Sequence, residues 1–157
     1  MKKIGMYTAR GIVSEADTTS GNPQLIPLYD GSFKTAYRVI EFKIWGSDWS
    51  TGATPDGIGK LSKNSIGSTG AATFMRADDD NQIAWATTSG VTEAGQHNFL
   101  DSIIDPDNLV VEDLYVYVRT TAPDTSVPLN YLVIMEKYEI SESQGALLMA
   151  RDRADGE

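Results

Sequence analysis

The chain has 157 residues, no cysteine, one histidine (His97) and a formal net charge of −9. That length suits one ordinary domain, residues 1–157, with a core of its own. Without cysteine there is no disulfide framework, thiolate metal site or cysteine nucleophile, a lone histidine cannot build a histidine-rich metal centre, and no cofactor is expected.

Short runs of β-branched and aromatic residues alternate with clusters of Gly, Pro, Asn, Asp, Ser and Thr, the pattern of an antiparallel sandwich or barrel. The first strand is expected at residues 3–10. With the residue before it, it supplies Lys2, Lys3 and Arg10, the chain's basic patch: residues 1–60 hold seven Lys and Arg against six Asp and Glu, whereas residues 61–157 hold six against sixteen. So acidic a surface repels phosphate backbones, and nucleic acid is disfavoured as a partner. No apolar run is long enough for a signal peptide or a membrane span, which leads us to expect a soluble protein.

Further strands are expected at residues 24–29, 33–45, 57–61 and 72–75. The run FKTAYRVIEFKIW switches its apolar face from Tyr37 and Val39 to Ile40, Phe42 and Ile44, which calls for a β-bulge near residue 39 or 40 or a bend between sheets. Trp49 follows in the loop GSDWSTG. A large aromatic in a loop is poorly explained by packing, and Trp49 becomes a contact candidate for a partner or a sugar. GIGKLS lacks the first Gly and the Ser or Thr of a phosphate loop.

Asp78, Asp79 and Asp80 in RADDDNQ, with Asp105 and Asp107 in IDPDN, are hard oxygen ligands that could bind calcium. Neither loop has helix-loop-helix calcium spacing, and solvated turns with Asx capping are the favoured reading. Residues 82–87 read as a strand with Trp85 in the core, and His97 lies in a polar loop, GQHNF, which gives a serine triad little support.

Strands at residues 109–120 and 130–140 complete the set. In NLVVEDLYVYVR, Glu112 falls on the face of Val110, Leu114, Val116 and Val118, while Tyr115 and Tyr117 occupy the other. In NYLVIMEKYEI, Glu136 intrudes among Leu132, Ile134, Tyr138 and Ile140. If the two strands form a hairpin, one allowed register sets Glu112 opposite Glu136. With Arg38 on the same face, the favoured reading is a structural ion network, and a retaining-glycosidase carboxylate pair is the alternative to exclude. The tyrosine face needs a cover of its own, which makes Tyr115 and Tyr117 interface candidates. A short helix capped by Ser141 ends the chain.

The blocks LYDGSFKTAYRV, QIAWA, DPDNLVVEDLYVYVR and NYLVIMEKYEISESQGALLMARDRA span residues 28–154 and resemble small β-rich virion structural proteins of marine bacteriophages, of single jelly-roll type. The resemblance implies a capsid, cement or vertex component of the virion that self-associates and contacts other capsid proteins, and it carries no catalytic signature. The fold expected is therefore all-β: an antiparallel β-sandwich of about eight strands, jelly-roll-like, with a C-terminal helix. The function expected is structural and non-enzymatic. A carbohydrate- or receptor-binding module, with a glycan partner and calcium as an accessory, is the alternative, and a glycoside hydrolase the third reading.

Overall fold

A computed structural model describes residues 1–15, 23–47, 56–65, 70, 73–90, 97–99, 102–121 and 127–155. Among these are nine strands: β1 (Lys2–Ser14), β2 (Gln24–Ile26), β3 (Thr35–Gly46), β4 (Gly57–Ser62), β5 (Gln82–Gly90), β6 (His97–Phe99), β7 (Ile103–Ile104), β8 (Leu114–Thr120) and β9 (Pro128–Glu139), followed by helix α1 (Glu142–Asp155). They form two antiparallel sheets, one of order β1-β9-β3 and one of order β2-β8-β4-β5-β6 with β7 also on β5. The expected all-β sandwich with a C-terminal helix is the fold. Among the described residues no helix is long and apolar enough to cross a membrane.

The core between the sheets takes Leu114, Val116 and Val118 from β8, Leu129, Tyr131, Val133 and Met135 from β9, and Tyr37, Val39, Phe42 and Ile44 from β3. The phase switch in β3 is a bulge: Val39 pairs with Met135 and Glu41 with Ile134, so Ile40 is skipped and left 44% exposed. The buried Asn108 side chain matches the backbone there. Its Oδ1 accepts from the Val39 N–H at 2.7 Å and its Nδ2 donates to the Val39 carbonyl at 3.1 Å.

Four expectations need correction. Residues 73–75 are a turn and bends instead of a strand, because Phe74 is spent as a buried plug over β4. β1 runs on to Ser14, since the missing side chain of Gly11 lets the Tyr131 ring lie against the backbone; a Cβ there would come within 2.7 Å of Tyr131 Oη. β8 starts only at Leu114: Val110 makes an isolated bridge to Tyr37, and the chain bends at Val111 and Glu112. Finally, β8 and β9 are no hairpin. They belong to opposite sheets, and the core face of β9 is its odd face, with Leu132, Ile134 and Glu136 outside.

Helix α1 begins at a capping box, the Gln144 N–H donating to Ser141 Oγ at 3.3 Å and the Ser141 N–H to Gln144 Oε1 at 3.2 Å. Leu148 and Met149 pack on Ala36, Val111 and Ile140. The nearly buried Lys63–Asp152 pair, at 2.6 Å, ties the helix to the end of β4. Gly145 sits on the turn at Phe33, a residue held at φ 54°, and a Cβ at Gly145 would lie 1.9 Å from the Phe33 carbonyl oxygen. Gly145→Ala, which favours an isolated helix by about 1 kcal/mol, should here lower stability in urea unfolding by roughly 1–3 kcal/mol through overpacking; a stabilised variant would show that the helix is not docked on this turn.

Candidate functional site

The suspected Glu112–Glu136 pair does not form, because their segments lie on different sides of the sandwich. Glu112, at the bend before β8, accepts from Arg153 of α1 at 2.9 Å. Glu136 is on the outer face of β9 beside Arg38, its register partner on β3, with Met6 of β1 on the other side. The Lys3 ammonium and the Tyr138 hydroxyl both donate to it. The Lys3 hydrogen bond, followed by that of Tyr138, holds the Glu136 carboxyl below the usual carboxylate range, and the same contact raises Lys3. Arg38 Cζ lies 5.6 Å from the centre of the Tyr138 ring. Without a facing carboxylate, the arrangement offers no acid and nucleophile flanking one bond.

The two acidic loops converge. Asp79, Asp80, Asp105 and Asp107 line one cleft of about 530 Å³ with Trp85, Ile103, Lys63 and Arg151. Two of these carboxylates are committed to turns. Asp79 accepts from the Asn81 N–H at 3.0 Å and from Gln82 Nε2 at 3.1 Å, and Asp105 accepts from the Asp107 N–H at 3.0 Å. Asp78 lies outside the cleft in a bidentate pair with Arg76, which holds its carboxyl low. Among the described residues no three His, Asp or Glu side chains are grouped to hold a metal ion.

The tyrosine face is covered by the chain itself. Lys60 of β4 stands between its register neighbours Trp85 on β5 and Tyr117 on β8. Its Nζ donates to the Phe74 carbonyl at 2.8 Å and lies 4.4 Å and 5.1 Å from the Phe74 and Tyr117 ring centres. Lys60 and Tyr117 are 0% exposed, and the Tyr117 hydroxyl donates to the Asn64 carbonyl at 3.0 Å. Tyr117 is thus interior rather than an outside contact, whereas Tyr115 is half-buried. Trp85 is half-buried too, on the cleft side of the sheet instead of in the core. The strand expected at residues 57–61 is present as β4, but in sequence Lys60 is weighed only against a phosphate loop; its place in that short strand with Leu61 on the opposite face is the available signal for a buried cation.

Of the remaining candidates, Lys2, Lys3 and Arg10 are exposed along β1. The backbone at His97 is in β6 instead of a loop. Trp49 lies outside the described residues. Asp113 accepts from the Leu28 and Tyr29 N–H groups at 2.8 and 3.1 Å, fastening the segment after β2. No family model and no curated protein matches the chain.

Burial pushes the Lys60 ammonium down to about 8, against an opposing pull from Asp79. The unfolded lysine titrates near 10.5, so between those values the unfolded chain binds the extra proton and stability rises with pH. Below pH 8 the buried charge costs roughly 3 kcal/mol at about 1.4 kcal/mol per pH unit. Urea unfolding of wild type and Lys60→Met at pH 7 and pH 10 should therefore show the difference moving toward wild type by roughly 2 kcal/mol; a constant difference would mean that Lys60 is not held charged at a cost.

Proposed function

We propose that the chain is a non-enzymatic structural subunit that works through protein–protein interfaces, a capsid, cement or vertex component of the phage-virion type that its sequence resembles. The observation that carries this reading is the distribution of exposed apolar side chains. Of the ten large ones that are exposed among the described residues, Met1, Ile4, Met6, Tyr7 and Ile12 all fall within the first twelve residues. Scattered single exposures are ordinary on a protein surface, but their concentration along one strand marks a contact surface. Among the described residues β1 pairs only with β9, so its other edge also offers unpaired backbone groups.

Sedimentation of the purified chain should give oligomers, and particles from the source of the gene should contain it at a copy number matching their symmetry. Ile12→Asp, with its side chain 52% exposed, should leave the fold intact and shift sedimentation toward monomer by 10-fold or more in concentration, the effect of about 1.4 kcal/mol. A wild-type chain that is monomeric at all concentrations and absent from particles would overturn the reading.

The cleft supports a second reading, a glycan-binding module, because it joins the half-buried Trp85 and exposed Ile103 to the carboxylates of Asp80 and Asp107. On a glycan array with and without EDTA this reading expects binding that Trp85→Ala abolishes; a flat array in both conditions removes it.

A further inference from the structure

Both flanks of the sandwich beside β1 and β3 are latched. At β3, residues 108–110 pair with Tyr37 and Val39, and the Asp105 N–H donates to the Ile83 carbonyl of β5 at 2.9 Å. Near the end of β1, the buried Glu15 accepts from the Thr120 N–H and Oγ1 at 2.8 and 3.0 Å and pairs with Arg119 at 3.4 Å. Between Gly5 and Val13, β1 continues in regular register with β9, beyond a bulge between Lys3 and Gly5, and the opposite edge has no strand beside it among the described residues.

We propose that this edge is the self-contact of the structural subunit, and that it pairs antiparallel with β1 of a second copy about a two-fold axis at Ala9. The inference rests on the structural-subunit reading and adds its geometry. Residues directly opposite in an antiparallel pair share a face, so the outer face continues across copies only when the axis passes through a residue. An axis at Tyr7 sets Tyr7 against its own copy but Met6 against Thr8 and the bulged Ile4 against Arg10, leaving the outer-face apolar side chains opposite polar ones. An axis at Thr8 faces Met6 with Arg10.

With the axis at Ala9, Met6 falls opposite the partner's Ile12, and the same pair recurs on the other side of the axis. These two side chains are each 52% exposed in the single chain. Thr8 falls opposite the partner's Arg10, so no cation faces a cation. Tyr7 meets the partner's Gly11, the glycine over which the ring of Tyr131 lies and which therefore offers an aromatic neighbour. The product is one outer sheet of order β3-β9-β1 continued by the partner's β1-β9-β3, with an isologous interface.

The absence of cysteine in the chain makes the register directly testable. Opposed Cα atoms at about 4.5–5.5 Å are within disulfide reach. Under mild oxidation, a mixture of Met6→Cys and Ile12→Cys chains should give the mixed disulfide dimer at 10-fold or more over either homodimer, and Thr8→Cys with Arg10→Cys should do the same. Homodimers of Met6→Cys or Ile12→Cys alone, a preference for Met6→Cys with Thr8→Cys, or no cross-linking in a chain that still oligomerises would each overturn this register while leaving a structural subunit with another contact. A wild-type chain that does not oligomerise would overturn the self-contact, and one that is also absent from particles would overturn the structural-subunit reading with it.

Discussion

The pairing of the Asn108 carboxamide with the backbone of Val39 is the contact on which the sandwich turns. β3 must bury Tyr37 and Val39 on one phase and Phe42 and Ile44 on the other, and a twelve-residue strand can do so only by setting one residue aside. Ile40 is that residue. Setting it aside would leave the amide and carbonyl of Val39 on the far edge without a strand, and an unmade buried hydrogen bond costs roughly 1–3 kcal/mol. Asn108, 3% exposed, supplies a donor and an acceptor in one side chain and acts as a backbone surrogate. The same residue begins the short stretch whose Val110 bridges Tyr37, so the device that stabilises the bulge also joins the three-stranded sheet to the loop leading from the six-stranded one.

How legible this was depended on whether local pattern and tertiary context agreed. The bulge in β3 was readable, because only a phase change accounts for Tyr37 and Phe42 both being core. Parity also served for Leu114, Val116 and Val118. It failed for Glu112, because the strand starts only two residues later, at Leu114, after a bend that alternation alone does not mark. It failed for β9 in an instructive way. A central strand between β1 and β3 is shielded on its outer face by the long side chains of its neighbours, so Leu132 and Ile134 sit half-buried there and both faces look apolar. The wrong face then led Glu136 to a partner in the other sheet. Arg38 was placed beside Glu136 by the true register of β3 and β9, although the argument that linked them assumed a different pairing.

The six-stranded sheet is covered on both sides, and its second cover is polar in a place where a leucine would have served. Lys60 keeps a charge among Trp85, Tyr117 and Phe74 by borrowing the Phe74 carbonyl and two ring faces. A hydrophobic residue would pack there in several ways. The ammonium instead donates a directed hydrogen bond from its Nζ to the Phe74 carbonyl, which holds residues 73–76 to β4, and those residues lead directly into the acidic loop of Asp78, Asp79 and Asp80. The burial of one cation thereby sets the position of one wall of the cleft, and Asp105 and Asp107 set the other through the turn that presents Asn108.

The register of β1 on β9 joins Lys2 to Glu139 and Ser14 to Pro128, residues more than a hundred positions apart. During synthesis at about 5–20 residues per second, β1 therefore waits on the order of ten seconds for its partner strand to leave the ribosome. Throughout that interval Ile4, Met6 and Ile12 are exposed on a segment with a strong preference for extended structure, in a chain whose long-range pairings already slow folding. The lysines, the arginine and the two glycines spaced along this strand reduce its tendency to aggregate while it is alone. The charges and glycines of the first strand thus suit the interval before its partner strand exists as well as the finished fold.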